Sequence, residues 1–397
     1  MQTLEITKDV HWVGVLNATL REFDVVFKAR YGSTYNSYLL LADKPTLIDG
    51  VHERFTREHL DKLQSLINLK DICYIVVNHT EMDHSGSLCS LLKETPNAQI
   101  LSTKTASAFL KNILHRDFYK KTVEDGECVN LGNKQLRFIH APFWHWPDTM
   151  FTYLEEDRTL FSCDGFATHF CDERLFDDRV DDFAEDFRYY FEHIMGPFRK
   201  KVLEAIKKIK SLDIQIIAPS HGPILRSNTE KYIKAYEHWS TSEKDPDKKL
   251  IRIFYSSMYG NTKRMAEAVA KGASIINTEV ELMDAAKISP ERVRNDIESS
   301  DGLLFGSPTI NGDALLPIWN IINLMYNVNA KGKKCATFGT YGWSGEATRL
   351  LDERLKGLKL HVVQPSLKVI FRPTEEYLKK CSIFGYDFAK SLTTDTI

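Results

Sequence analysis

Residues 241–249, TSEKDPDKK, contain no large apolar side chain, and the seven that follow, LIRIFYS, are an abrupt apolar run. A polar linker leading into a buried strand marks a domain boundary. It divides the 397 residues into 1–245 and 250–397, each long enough to bury a core of its own. Any fold for this chain must therefore be two folds in series. The histidines fall on one side of the break. Twelve of thirteen precede residue 240 and only His361 follows, so imidazole chemistry belongs to the first unit.

In that unit short β-rich runs recur: YNSYLLL (35–41), YIVVN (74–78), LRFIHA (136–141), TLFSCD (159–164) and IQIIAPS (214–220). Between them lie helical patterns, with Leu60, Leu63 and Ile67 on one face and Val202, Ile206 and Ile209 on another. The second unit alternates more regularly. Strands are expected at 250–256, 277–282, 301–306, 335–340 and 360–364 with helices between, the pattern of a doubly wound parallel sheet.

The run NHTEMDHSG places His79, Glu81, Asp83 and His84 directly after the strand YIVVN. Three more strand ends each deliver a metal-competent residue: His145 after LRFIHAPFW, Asp164 in TLFSCD, and His221 after IQIIAPS. A lone histidine near a strand end is more commonly a hydrogen-bonding residue, and Asp164 before a glycine also suits a turn. The HxExDH cluster is different. Gathering two acids and two imidazoles costs several kcal/mol unless a cation compensates. His140 and His169 lie near the pattern and are read as structural.

This arrangement resembles the metallo-β-lactamase fold, whose motif is HxHxDH followed by His, Asp and His ligands. One departure stands out: the second histidine is Glu81. With Glu81, Asp83 and a bridging Asp164, three of seven ligands are carboxylates, which shifts preference from zinc toward iron or manganese and suits two divalent ions. The expectation is a di-iron site.

After the strand LIRIFY, the residues Ser256, Ser257, Met258, Tyr259, Gly260, Asn261 and Thr262 form a hydroxyl- and glycine-rich turn that opens a helix. Amides at a helix start, with such hydroxyls, can hold a phosphate. The GxxxxGK[ST] spacing of a nucleoside-triphosphate loop is missing. An ordinary capped helix would look similar. Two further strand ends add Ser307, Pro308, Thr309 and Asn311, then Gly339, Thr340, Tyr341, Gly342 and Trp343. Loops at these ends meet in the crevice where doubly wound sheets bind ligands. Tyr341 or Trp343 could lie against a flavin ring or serve only packing. Together the three loops resemble flavodoxin, which implies FMN.

A lactamase-like αβ/βα sandwich with Glu in the motif, followed by a flavodoxin-like doubly wound parallel sheet, is similar to the flavodiiron protein family over essentially the whole chain. The resemblance implies reduction of dioxygen or nitric oxide in the cytoplasm. It implies His79, Glu81 and His145 on one iron, and Asp83, His84 and His221 on the other, bridged by Asp164; family members differ in whether the residue at His84 coordinates. It also implies a head-to-tail homodimer or dimer of dimers, in which the flavin of one chain faces the irons of the other. Trp146 beside His145 could touch that flavin or serve the core.

The remaining features narrow the partners. The seven cysteines, at 73, 89, 128, 163, 171, 335 and 381, include no CxxC, so a rubredoxin-type four-cysteine site is not expected and the thiols read as scattered and reduced. Electrons are expected from a separate donor, rubredoxin or a reduced deazaflavin. Lys plus Arg number 52 against 54 Asp plus Glu, which argues against a nucleic-acid footprint. No run approaches a membrane span, and the start, MQTLEITKDVHWVGVL, does not read as a signal peptide. Two other readings stay open at this point: a zinc hydrolase with an attached flavodoxin-like part, and a non-enzymatic electron carrier.

Overall fold

The computed structural model describes residues 3–23, 27–241, 248–328 and 330–393. The chain divides into two compact units, 1–241 and 242–397. Most of the polar segment read as a linker, 242–247, lies outside the described residues.

In the strand Tyr38–Leu40, Tyr38 and Leu40 join one buried cluster and Leu39 another. In Tyr74–Val77 the same split separates Val76 from Ile75 and Val77. Side chains alternate along a strand, so strands apolar on both faces must lie between two layers. The first unit accordingly stacks helix, sheet, sheet, helix. One sheet runs in the order Leu4–Thr7, Val10–Trp12, Tyr38–Leu40, Thr46–Ile48, Tyr74–Val77, Gln99–Ser102, Lys120–Thr122. Its pairs are antiparallel as far as Thr46–Ile48 and parallel beyond. The other runs Cys128–Asn130, Gln135–His140, Met150–Leu154, Thr159–Cys163, Ile216–Pro219, with only the last pair parallel.

Between the sheets Trp12, Leu40, Val76, Phe138, Met150 and Phe161 form one core. Outside the first sheet, Leu63, Leu91 and Leu110 from the helices Thr56–Gln64, Leu88–Glu94 and Lys104–Leu114 cover Ile75 and Ile100. Outside the second, Phe187, Ile206 and Tyr236 from Ala184–Tyr190, Arg199–Ile209 and Thr229–Ser240 cover Phe151 and Leu160. Each such fully buried side chain contributes about 1.5–3 kcal/mol, which holds the strand ends in place.

Two expectations shift in this unit. The run 35–41 is not one strand: Ser33–Tyr35 pairs with Val15–Asn17 in a separate ribbon, and Tyr38–Leu40 belongs to the large sheet. The cause is Asn36, whose amide N–H donates to the Ser220 carbonyl (2.7 Å) and whose side chain is held by Trp12 (2.8 Å) and the Pro219 carbonyl (2.8 Å). Leu60 and Leu63 ride on the helix Thr56–Gln64, which ends before Ile67.

The second unit is a parallel sheet in the order Thr278–Asp284, Lys249–Tyr255, Gly302–Gly306, Lys334–Tyr341, His361–Val362. Helices cover both faces. Met265, Val269, Cys381 and Phe388 lie against Ile251 and Phe338, whereas Ile297, Ile318 and Leu351 lie against Phe254 and Phe305. The fifth strand, expected as 360–364, is two pieces: His361–Val362 pairs with the start of Lys334–Tyr341 and Leu367–Ile370 with its end. Pro365 lies between them and has no N–H for the ladder, so the chain bulges there.

Candidate functional site

Local turns aim the first unit's polar residues at one point. After Tyr74–Val77 the chain makes a short helix, Met82–Ser85, capped by Glu81. The His84 and Ser85 amides donate to the Glu81 carbonyl (3.0 and 2.9 Å), and Ser85 Oγ donates to Thr80 O (2.7 Å). That turn brings Glu81, Asp83 and His84 to the same side as His79. Asp164 follows Cys163 and Trp146 follows His145; both Cys163 (φ 49°) and His145 (φ 51°) take the left-handed conformation. It costs a non-glycine residue about 1 kcal/mol or more, and here it redirects the chain at the end of the strand Thr159–Cys163 and within the loop 141–149 that carries His145.

The result is two groups sharing one residue. His79 Nε2 is 3.2 Å from Glu81 Oε2 and 3.7 Å from Asp164 Oδ2; His145 Nε2 is 3.4 and 3.1 Å from the same two oxygens. Across the carboxylate, Asp164 Oδ1 is 3.3 Å from both His84 Nε2 and His221 Nε2. Asp83 completes this second group, with Oδ1 3.2 Å from His84 and Oδ2 3.1 Å from His221. Both groups have the composition and closeness of a metal site, their ligand atoms lying within 4.8 Å of one another. All seven residues read from the sequence are thus brought together.

Residues behind the site orient it. Asp148, completely buried, accepts from His79 Nδ1 (3.1 Å), Thr80 N (2.8 Å) and Thr80 Oγ1 (2.7 Å). His221 Nδ1 donates to the Thr34 carbonyl (2.6 Å). With Nδ1 the donor to a fixed acceptor in each ring, Nε2 is the nitrogen whose proton a metal ion would displace. The Tyr190 hydroxyl donates to Asp164 Oδ1 (3.1 Å).

The charges ask for a cation. Burial opposes protonation of His79, yet Asp148 and Glu81 outweigh it and hold the pKa well above the usual imidazole value. Burial likewise opposes His84 and His221, but Asp83 and Asp164 raise both, His221 to about 10. Asp83 and Asp164 are depressed despite burial, chiefly by His84. Asp83 Oδ1 and Oδ2 and His84 Nε2 face only one another, His221 and Asp164, at 3.1–3.3 Å and without hydrogen-bond geometry, and His84 Nδ1 is buried with no partner. An unpaired buried donor or acceptor costs roughly 1–3 kcal/mol, and a metal ion would bind the carboxylate and imidazole together. The donor set fits two divalent ions.

Of the histidines set aside, His140 Nε2 meets the Val123 carbonyl (3.0 Å), outside the site. His169 lies beside it: Nδ1 is 2.9 Å from Ser33 Oγ, and the ring centroid is 5.2 Å from that of His221. Sequence reasoning missed Asp148, Tyr190 and the Thr34 carbonyl.

In the second unit the three expected loops lie at the C-terminal ends of adjacent parallel strands. Gly260, at φ 79°, caps the helix Asn261–Ala273, and a side chain there would be strained. Ser257 Oγ is buried without a partner. The buried Thr262 Oγ1 is 3.0 Å from Thr340 Oγ1, joining the first loop to the last. Ser307 Oγ accepts from Leu315 N (2.9 Å), and Thr309 Oγ1 from Ala347 N (3.3 Å). Asn311 is left-handed (φ 52°). A Cβ on Gly339 would sit 2.1 Å from the Ser307 carbonyl, so the second and third loops touch only because it is glycine. Met258, Tyr259 (84% exposed) and Trp343 (86% exposed) stand out from this edge, while Tyr341 and Gly342 lie beneath Phe371, a residue not expected there. A helix N-terminus beside the unpartnered Ser257 hydroxyl, flanked by the exposed rings of Tyr259 and Trp343, fits a phosphate attached to a planar ring system.

Two family models match, described as ODP family beta lactamase over residues 34–222 and Flavodoxin over residues 253–385. The flavo-diiron protein FprA2 of Clostridium acetobutylicum is 40% identical, the match covering 99% of this chain and 100% of that one. The anaerobic nitric oxide reductase flavorubredoxin of Vibrio vulnificus is 36% identical over 98% of this chain and 80% of its own length. Among solved structures, rubredoxin oxygen:oxidoreductase from Desulfovibrio gigas is 27% identical with a TM-score of 0.70, covering 98% of both chains. The class is a metallo-β-lactamase-like domain joined to a flavodoxin domain. The chain belongs to the flavodiiron proteins, a family of oxidoreductases.

Proposed function

We propose that this chain reduces dioxygen to water, nitric oxide to nitrous oxide, or both, at two irons, with electrons relayed through FMN from a separate donor. One observation carries the reading: Asp164 offers Oδ2 to His79 and His145 and Oδ1 to His84 and His221. A carboxylate that divides its oxygens between two ligand sets suits a pair of metals. Glu81, Asp83 and Asp164 make the set oxygen-rich, which favours iron over zinc. In this reading His79, Glu81 and His145 hold one ion, Asp83, His84 and His221 the other, and FMN lies on loops 257–262, 307–311 and 339–343.

Bound together, two ferrous ions and a reduced flavin supply four electrons, the number that takes one dioxygen to two waters, whereas joining two nitric oxide molecules as nitrous oxide takes two. The chain's own part is positional. Asp148 and the Thr34 carbonyl fix the tautomers of His79 and His221. The Tyr190 hydroxyl oxygen, 3.1 Å from Asp164 Oδ1, donates its proton to that oxygen and so damps its charge. Glu81 (20% exposed) and His145 (14%) face outward, whereas Asp83, His84 and His221 are buried. The gas would therefore approach on the Glu81 and His145 side, past the exposed Met82 and Trp146.

The names of the Vibrio and Desulfovibrio relatives both contain rubredoxin, which favours rubredoxin over a deazaflavin as donor. No helix among the described residues is long and apolar enough to cross a membrane, in keeping with the cytoplasmic placement we propose. A head-to-tail dimer, pairing one chain's flavin with the other's irons, would keep electron transfer short. The test supplies iron- and FMN-loaded protein with reduced rubredoxin and follows dioxygen, nitric oxide and nitrous oxide. Iron-dependent consumption of at least one gas is expected. Consumption of neither, with ester hydrolysis by a zinc-loaded form, would establish the hydrolase reading instead.

A further inference from the structure

Away from both sites, a cavity of about 240 Å³ opens between the segment 177–187 and the helix Thr229–Ser240. Four aromatic rings wall it. Phe183 and Tyr232 are nearly parallel (9°, centroids 6.2 Å apart), Phe187 stands edge-on to Tyr232 (75°, 5.2 Å), and Trp239 is 5.7 Å from Phe187. An apolar cavity of about 150 Å³ already accommodates a benzene ring, so this one has room for a branched head group.

Its charges are lopsided. Asp177, Asp181 and Asp182 line it against Lys231, whose ammonium lies 5.5 Å from the centre of the Tyr232 ring; the Arg188 guanidinium, 5.9 Å from the Trp239 ring, is paired with Glu192 (2.8 Å). Asp177 is used internally, accepting from the Ser227 amide (3.1 Å) and the Tyr232 hydroxyl (3.1 Å). Asp181 is 3.2 Å from Arg174. Asp182 Oδ1 accepts from the Ala184 amide (3.0 Å), and its carboxylate has no ion-pair partner among the described residues. An exposed carboxylate at the mouth of an aromatic-walled cavity is complementary to a cation with an apolar body, because ring faces attract cations while the walls exclude water. An anion would meet Asp181 and Asp182 first.

We propose that this cavity binds a small organic ammonium ion, its alkylated nitrogen among Phe183, Tyr232 and Trp239 and its charge facing Asp182. The ligand class is set by charge as well as shape, which separates it from a site for any apolar molecule. The reading is independent of the metal and flavin sites.

The test titrates choline and its uncharged isostere 3,3-dimethylbutan-1-ol into the metal- and FMN-loaded protein, observing binding by calorimetry and by broadening of the methyl proton resonances. Choline should bind saturably and at least fivefold more tightly than the alcohol. Asp182→Asn, an exposed substitution, should weaken choline severalfold and leave the alcohol unchanged; Trp239→Leu should weaken both. Equal affinity for choline and the alcohol would reduce the site to an apolar cavity and overturn the proposal. So would the lack of saturable choline binding, or choline binding that neither substitution alters.

Discussion

Replacing Asp148 by asparagine changes one atom of a buried carboxylate that touches no metal in this account, and it should nevertheless weaken metal binding at His79. His79 Nδ1 donates to Asp148 Oδ1, whereas the Thr80 amide and hydroxyl both donate to Oδ2. An asparagine has one oxygen to divide between these positions. Turning it toward His79 would set the NH2 group against two Thr80 donors, at about 1–3 kcal/mol for each buried donor left unpaired. Turning it toward Thr80 forfeits only the His79 contact, so this orientation wins. The NH2 then faces His79 Nδ1, which must become the acceptor, and the ring proton moves to Nε2. That is the atom 3.2 Å from Glu81 and 3.7 Å from Asp164, and a neutral ring whose single proton sits there must give up its new hydrogen bond and change tautomer before it can ligate. Loss of such an orienting partner costs about 10–100-fold in metal affinity, or about 1.4–2.7 kcal/mol. Anaerobic iron(II) titration against a competing chelator resolves the two binding steps, and nitrogen-15 shifts of the imidazole report the tautomer. The Asp148→Asn chain should lose affinity in one step and keep the other. Two unchanged steps with the proton still on Nδ1 would refute the reasoning.

The double substitution Ser257→Ala, Thr262→Ala removes two hydroxyls from the loop that opens the helix Asn261–Ala273, each worth about 1.5–3 kcal/mol when bonded to a charged phosphate; flavin absorbance should fall while iron content holds, and full flavin retention would move the phosphate elsewhere. His79, His84 and His221 have raised pKa values in the metal-free chain, so loading at pH 7 should release about two to three protons, measured with an indicator dye; release of none would contradict the site's electrostatics. Because these folded values lie above the unfolded value of about 6.5, the stability they lend the metal-free chain is complete below about pH 6.5 and is lost as pH rises through the folded values, toward about 10 for His221. The metal-free melting temperature should therefore fall over that range relative to the loaded protein. Mixing Asp164→Ala chains with the flavin-loop double variant under subunit exchange should restore activity if each flavin serves its partner's irons; demonstrable hybrids without activity would place electron transfer within one chain.

The residues proposed as metal ligands were legible because each follows an apolar run that reads as a buried strand, although His145 lies in the loop between the strands Gln135–His140 and Met150–Leu154 rather than at a strand end. Glu81 in the HxExDH run carried chemical information that needed no coordinates. Asp148 sits three residues after His145, within the same HWPD run, and a rule asking for a carboxylate behind each metal-binding histidine would have found it. The Thr34 carbonyl could not be read, since a backbone acceptor has no side-chain signature. It reaches His221 only because Asn36 breaks the run 35–41 and diverts Ser33–Tyr35 into its own ribbon. Tyr190 comes from the helix Ala184–Tyr190, packed by the aromatic core of Phe187 and Tyr236, and nothing local in sequence ties it to Asp164. The second piece of the fifth strand has a weaker signal: Leu367–Ile370 lies beyond Pro365 in a run that mixes Leu and Val with Gln364, Ser366 and Lys368. His169, read as structural, lies in no ligand group, although its ring comes within 5.2 Å of the His221 ring and its Nδ1 meets Ser33 Oγ.

The central claim is that Asp164 joins two irons. Its most direct test is anomalous diffraction at the iron and zinc absorption edges from crystals of protein purified from iron-replete cells. The account predicts two iron peaks per chain, one on the Oδ2 side of Asp164 with His79, Glu81 and His145, the other on the Oδ1 side with Asp83, His84 and His221. A single peak, or two that vanish at the iron edge and persist at the zinc edge, would contradict it.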